Sequence, residues 1–191
     1  MSTLYFRYGA MKCGKSTALL QVAYNAEENG KKVILIKPAV DTKGEDRVVS
    51  RLGVERKVDI LLGPNDNVPR YNEADKPYCI LVDEAQFLSG KQVMQLYILA
   101  KLENIPVMCY GLRSDFQMNG FPASLKLLTI ADELEELRTI CSCGKKATLN
   151  LREVNGEAVF EGDQISIDNQ DSVKYKPSCG TCYVKQKRYK A

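Results

Sequence analysis

Gly9-Ala10-Met11-Lys12-Cys13-Gly14-Lys15-Ser16 is the stretch whose reading decides the architecture. It has the form G-x-x-x-x-G-K-[ST]. Leu4–Tyr8 before it reads as a strand, and Lys15–Glu28 after it reads as a helix. A loop between such a strand and helix turns its backbone N–H groups inward as an anion nest, because glycine permits the tight curvature. The helix that follows adds the positive end of its dipole. In that setting Lys15 is expected on the β- and γ-phosphates of a nucleotide, and the Ser16 hydroxyl on Mg²⁺.

Working outward, apolar runs alternate with helical patterns. Further strands are expected at Val33–Lys37, Ile80–Asp83 and Val107–Gly111, and further helices at Lys91–Glu103 and Ser124–Thr129. This rhythm predicts an α/β fold with a mostly parallel sheet and helices on both faces. Asn29-Gly30 and Asn104-Ile105-Pro106 are stop signals for the helices before them. Residues 42–57 and 63–77 are polar, or rich in Pro, Asn and Asp, and read as loops. Beyond Ser142 no helical period is visible; short β-prone pieces at Thr148–Glu153 and Ala158–Phe160 lead to a basic tail, expected as a solvated end. The expected division is a nucleotide-binding core over 1–140 and a small subdomain over 141–191.

Composition limits the chemistry. The chain has 191 residues, 45% of them hydrophobic, enough for one domain with a real core. A net charge of +3 gives no basic footprint for nucleic acid. No apolar run has the length of a membrane span. The first residues enter a strand at once, so neither a signal peptide nor a membrane partner is expected, and the expected location is the cytoplasm. There is no histidine, so a general base must come from Asp, Glu, Lys, Cys or Tyr.

Cys79-Ile-Leu-Val-Asp83-Glu84 is an apolar strand ending in two acids. After a phosphate loop such a strand delivers an aspartate to the metal, here Asp83 acting through a water. Successive residues of a strand point to opposite sides. Glu84 is therefore the candidate general base; its other reading is a second carboxylate near the metal. Of seven cysteines, Cys141, Cys143, Cys179 and Cys182 form two close pairs. Four thiolates from two knuckles suit a closed, structural Zn²⁺ site, against the alternative of buried free thiols. Cys13, Cys79 and Cys109 are expected as small buried residues. Arg113 is a candidate for stabilising transferred charge.

Residues 4–17, Val82-Asp-Glu-Ala-Gln-Phe87, Tyr110-Gly-Leu-Arg-Ser-Asp-Phe116 and the paired cysteines together resemble the type II thymidine kinases, the zinc-containing cytosolic family. The resemblance runs over nearly the whole chain. It implies a RecA-like phosphate-loop core, a zinc-stapled β-rich lasso and a homotetramer. It also implies transfer of the γ-phosphoryl group of ATP to the 5′-hydroxyl of thymidine or deoxyuridine, with thymidine triphosphate as feedback inhibitor. By motif position Gly9, Ala10, Met11, Lys12, Cys13, Gly14, Lys15 and Ser16 match the ATP loop, and Asp83, Glu84, Ala85 and Gln86 the second nucleotide segment. Phe87, Leu112 and Phe116 match apolar residues around thymine, Met11 one near its methyl group, and Tyr175 a tyrosine at the nucleoside. Where the family carries Asp-x-Arg, this chain has Asp41-Thr42-Lys43, with Arg47 as a possible substitute. Its segment Ile167–Tyr175 lacks a Gly-Gly pair, which leaves nucleoside breadth open. The competing reading is a RecA-like ATPase with a zinc ribbon acting on nucleic acid.

Overall fold

The computed structural model describes residues 2–42, 44–164 and 173–188. Lys43 and residues 165–172, which include most of the 167–175 segment, lie outside the described residues. In chain order the elements are β1 (Leu4–Tyr8), α1 (Lys15–Glu28), β2 (Val33–Pro38), β3 (Arg47–Val49), β4 (Glu55–Lys57), β5 (Ile60–Leu62) and β6 (Cys79–Val82). They continue with α2 (Gly90–Lys101), β7 (Val107–Gly111), α3 (Pro122–Ile130), β8 (Glu133–Glu136), β9 (Leu149–Val154), β10 (Glu157–Val159), β11 (Val173–Ser178) and α4 (Gly180–Arg188).

Six strands form one sheet in the order β5-β2-β6-β7-β1-β8, with every pairing parallel. Parallel strands covered on both faces need apolar residues at consecutive positions, which explains their continuous runs. Alternation then divides each run between two cores. Leu35, Cys79, Leu81 and Tyr110 pack with Leu19, Leu20 and Ala23 of α1. Ile36, Ile80, Val82 and Cys109 face the other way, onto Val93, Leu96 and Leu99 of α2 and Leu127 of α3. The expected α/β sheet with helices on both faces is present.

The order places β7 between β1 and β6. The phosphate loop after β1 and the acids after β6 thus share the carboxyl edge of the sheet, one strand apart, where ligands of open α/β sheets bind. Three local features fix this geometry. Gly14 adopts φ +85° just before α1, a left-handed conformation that glycine enters without a Cβ penalty. Gly9 cannot carry a side chain, because a Cβ there would lie 2.4 Å from the Leu137 carbonyl oxygen. Ser89 and Gln92 form a reciprocal capping box that starts α2 at Gly90.

Three expectations are corrected. Residues 42–57 are not wholly loop, since β3 and β4 pair as an antiparallel hairpin. The C-terminal region is not free of helix: α4 turns one buried side chain, Tyr183, inward while its basic residues stay in water. That single anchor leaves almost no periodic signal. Cys79 and Cys109 are buried as expected, but Cys13 is half-buried in the loop.

A second, antiparallel sheet has the order β10-β9-β11. Its register places Ser178 opposite Leu149 and Tyr175 opposite Arg152. Cys141 and Cys143 lie just before β9, and Cys179 and Cys182 just after β11.

Candidate active site

An open cleft of about 1350 Å³ lies at the carboxyl edge of the main sheet, bordered by Gly14, Lys15 and Ser16 and also by Phe116 and Tyr175. Lys15 is buried, and its Nζ donates to the Ala10 carbonyl at 3.2 Å. Lys12 also takes a left-handed conformation, φ +66°, so the loop bends on both sides of Cys13. Ser16 Oγ donates to Asp83 Oδ2 at 3.3 Å, linking the two nucleotide motifs.

Asp83 is 4% exposed, and its Oδ1 is buried without a hydrogen-bond partner. Burial, followed by the charge of Glu84, pushes its carboxyl up to about 7. A buried carboxylate oxygen lacking a donor, beside a serine hydroxyl in a phosphate loop, fits a divalent cation or its water.

Neither acid lies within β6. Glu84 adopts φ +46° and starts a short 3-10 turn over Ala85–Phe87. The opposed directions of Asp83 and Glu84 arise from this bend rather than from strand alternation, which corrects the sequence argument. Gln86 Nε2 donates to Glu84 Oε2 at 2.6 Å, while Gln86 Oε1 accepts from the Leu112 N–H at 3.0 Å. Glu84 is thereby held by Gln86 and borders the cleft together with the phosphate loop and the aromatic residues.

The aromatic residues come from separate elements. Phe87 meets Phe121 edge to face at 5.9 Å. Met11, Phe87, Leu112, Phe116 and Tyr175 all border the cleft, so the structure brings the sequence-selected residues together. Arg47 borders it too, with its guanidinium 2.7 Å from Glu55 Oε1. Arg113 is not among the residues bordering it; its guanidinium reaches the Thr148 carbonyl instead.

Sequence reasoning missed two polar residues that border the cleft, Asp115 and Asn150, and two that contact its bordering residues, Arg152 and Lys37. Asp115 is buried and accepts from the N–H groups of Gln117 and Asn119 and from Gln164 Nε2. Asn150 is buried, accepting from the Met11 N–H at 2.7 Å and donating to the Ser114 carbonyl at 3.2 Å. Arg152 is 5% exposed, lies 3.8 Å from the Phe116 ring centre and donates to the Tyr175 hydroxyl at 2.9 Å. Lys37 on β2 is buried and pairs with Asp41 at 3.1 Å. Asn150 and Arg152 sit two apart on β9, so they share a face, and two polar residues at that spacing were the available signal.

The sulfurs of Cys141, Cys143, Cys179 and Cys182 all lie within 4.8 Å of one another, with Cys143 and Cys179 at 3.6 Å. A tetrahedral zinc–thiolate site has sulfurs about 3.8 Å apart, given Zn–S bonds of about 2.3 Å. The Cys143 backbone N–H pulls the Cys141 thiol down to about 6, and that of Cys182 lowers Cys179. Cys182 is instead pushed up to about 12, chiefly by its hydrogen bond with Cys143. The cluster fits a zinc ion by its spacing.

The chain matches the family model described as "Thymidine kinase" over residues 2–183. It is 48% identical to a thymidine kinase of Idiomarina loihiensis, covering 94% of each chain. It is 44% identical to that of Chromobacterium violaceum over 96% of this chain and 98% of the relative. The figure is again 44% for the Streptococcus agalactiae enzyme, over 96% and 97%. With a match of this extent over a cleft so built, the chain belongs to the thymidine kinase family.

Proposed function

We propose that this protein transfers the γ-phosphoryl group of ATP to the 5′-hydroxyl of thymidine, and of deoxyuridine, giving the monophosphate for DNA synthesis. One observation carries the reading: Glu84 borders the same cleft as the phosphate loop and a set of aromatic residues. Phosphoryl transfer asks a protein mainly for positioning and charge stabilisation. The amides of residues 9–16 and Lys15 hold the triphosphate. Ser16 and Asp83 would hold Mg²⁺, which neutralises charge on the β- and γ-oxygens when bound. Glu84, oriented by Gln86, accepts the proton of the 5′-hydroxyl as the phosphoryl group moves. Phe87, Leu112 and Phe116 enclose the base, Met11 lies at its methyl edge, and Tyr175 closes from β11.

Cys141, Cys143, Cys179 and Cys182 would hold a structural zinc that joins the two ends of residues 144–178 and clips that loop, as a lasso, onto the core. A homotetramer in the cytoplasm, inhibited by thymidine triphosphate, completes the proposal. No described helix is long and apolar enough to cross a membrane.

The test is phosphate transfer from labelled ATP to a panel of nucleosides, with an acceptor-free control. Products from thymidine and deoxyuridine, but not from deoxycytidine or purine nucleosides, support the proposal. Phosphate release without a nucleoside product, stimulated by DNA or RNA, refutes it and favours the motor reading.

A further inference from the structure

The peptide unit joining Ala10 to Met11 is held at both ends. A trans peptide points its C=O and N–H in opposite directions. Here the Ala10 carbonyl accepts from Lys15 Nζ at 3.2 Å, and the Met11 N–H donates to Asn150 Oδ1 at 2.7 Å. The first grip comes from within the phosphate loop. The second comes from β9, in the other sheet. The orientation of the Asn150 amide follows from its partners, since Met11 needs an acceptor and the Ser114 carbonyl needs a donor. Asn150 is 4% exposed, so water competes little for these bonds.

Asn150 in turn is placed by the cysteine cluster. Its strand begins shortly after Cys143, and Pro177, opposite Asn150 in the register, lies just before Cys179. The Thr148 N–H donates to the Ser178 carbonyl at 3.1 Å, closing the ladder next to the sulfurs. The four thiols therefore pin both strands at the end where Asn150 leaves β9 for the phosphate loop.

We propose that Asn150 is a positioning residue that fastens the phosphate loop at Met11 to the cysteine-stapled sheet, so that the state of the C-terminal sheet sets how well the loop holds a nucleoside triphosphate. The proposal rests on the assignment of residues 9–16 to ATP. When Lys15 turns its ammonium toward a phosphate, Asn150 keeps the Ala10–Met11 peptide in place. A buried hydrogen bond of this kind corresponds to roughly five- to tenfold in affinity.

The experiment uses the full-length, zinc-loaded protein and a non-hydrolysable ATP analogue, without nucleoside. Calorimetry on Asn150→Leu, which keeps the branching and heavy-atom count and removes both bonds, is expected to show analogue binding about fivefold weaker or more. Hydrogen exchange at the Met11 amide should accelerate, while the amides of Ile80 and Val82 stay protected. Native-like analogue affinity with an unchanged Met11 exchange rate overturns the proposal.

Should Asn150→Leu fail to fold, the native protein answers the same question. Chelating its zinc should accelerate exchange at Met11 before the core sheet is affected. An unchanged Met11 rate, or acceleration only together with Ile80 and Val82, overturns the coupling. If the native protein binds the analogue but does not phosphorylate thymidine, the kinase assignment fails, and the role of Asn150 is still decided by binding and exchange.

Discussion

Replacing Arg152 by methionine should separate the proposed base pocket from the proposed phosphate site. The arginine is buried, and among the described residues it forms no ion pair with a carboxylate. It donates instead to the Tyr175 hydroxyl at 2.9 Å and to the Asp163 carbonyl at 2.8 Å, and it stacks 3.8 Å above Phe116. Methionine keeps an unbranched apolar side chain and removes the guanidinium that lies on Phe116. A hydrogen bond from a charged donor contributes about 1.5–3 kcal/mol, and a desolvated cation–π contact about 2 kcal/mol. Phe116 is 1% exposed whereas Tyr175 is half-buried, so most of the loss falls on Tyr175. Water recovers part of that bond at the half-buried ring. The remaining loss of about 1.4 kcal/mol is about tenfold in kcat/KM for thymidine, expressed chiefly in KM.

The assay is steady-state kinetics with thymidine varied at saturating ATP, then the reverse, on Arg152→Met and Arg152→Lys. Lysine keeps the charge but cannot reproduce two planar donors, so it should resemble methionine. The KM for ATP should stay within about twofold of native. A thymidine kcat/KM unchanged in Arg152→Met, or a matching rise in the ATP KM, would refute the assignment of Arg152 to the pocket. Full activity in Arg152→Lys would show that charge, not the fork, matters.

Glu84→Gln should fold normally and lose about 10²–10⁴ in turnover, the usual size of a general-base contribution; single-turnover rates near native would remove Glu84 from that role. Metal analysis should find about one zinc per chain, and protein made in ample zinc yet lacking it would contradict the Cys₄ site. The carboxyl of Asp83 is raised from 3.8 to about 7 by burial and then by Glu84, so unfolding favours its ionisation. In metal-free protein that contribution to stability is complete below pH 3.8 and is lost as pH rises to about 7. The thermal midpoint of native protein relative to Asp83→Asn should therefore fall over that range, and a rise would show the shift to have the opposite sign.

The central strands were legible because burial on both faces forces unbroken apolar runs, as in Cys79–Val82 and Val107–Gly111. The bounds of α1 followed from Gly14 and from Asn29-Gly30. The start of α2 lay one residue earlier than expected, at Gly90, because Ser89 and Gln92 cap it there. β8 was not legible: Glu133-Leu-Glu-Glu136 has no apolar alternation, and only its register with β1 makes it a strand. The phosphate loop, the paired acids and the cysteines could be read because their chemistry is tied to local spacing. Asn150 and Arg152 could not be assigned, because their partners Met11, Ser114 and Phe116 come from distant parts of the chain.

The left-handed backbone at Glu84 has a consequence for evolution in the laboratory. A residue with a Cβ at φ +46° carries a conformational cost of about 1 kcal/mol that glycine escapes. Selection for folding alone would thus accept Glu84→Gly wherever water replaces the carboxylate as partner of Gln86 Nε2, giving a folded protein stripped of its proposed base. A library of this protein screened only for soluble expression would admit inert variants at this position, and recovering active ones requires that growth or turnover be selected in the same round.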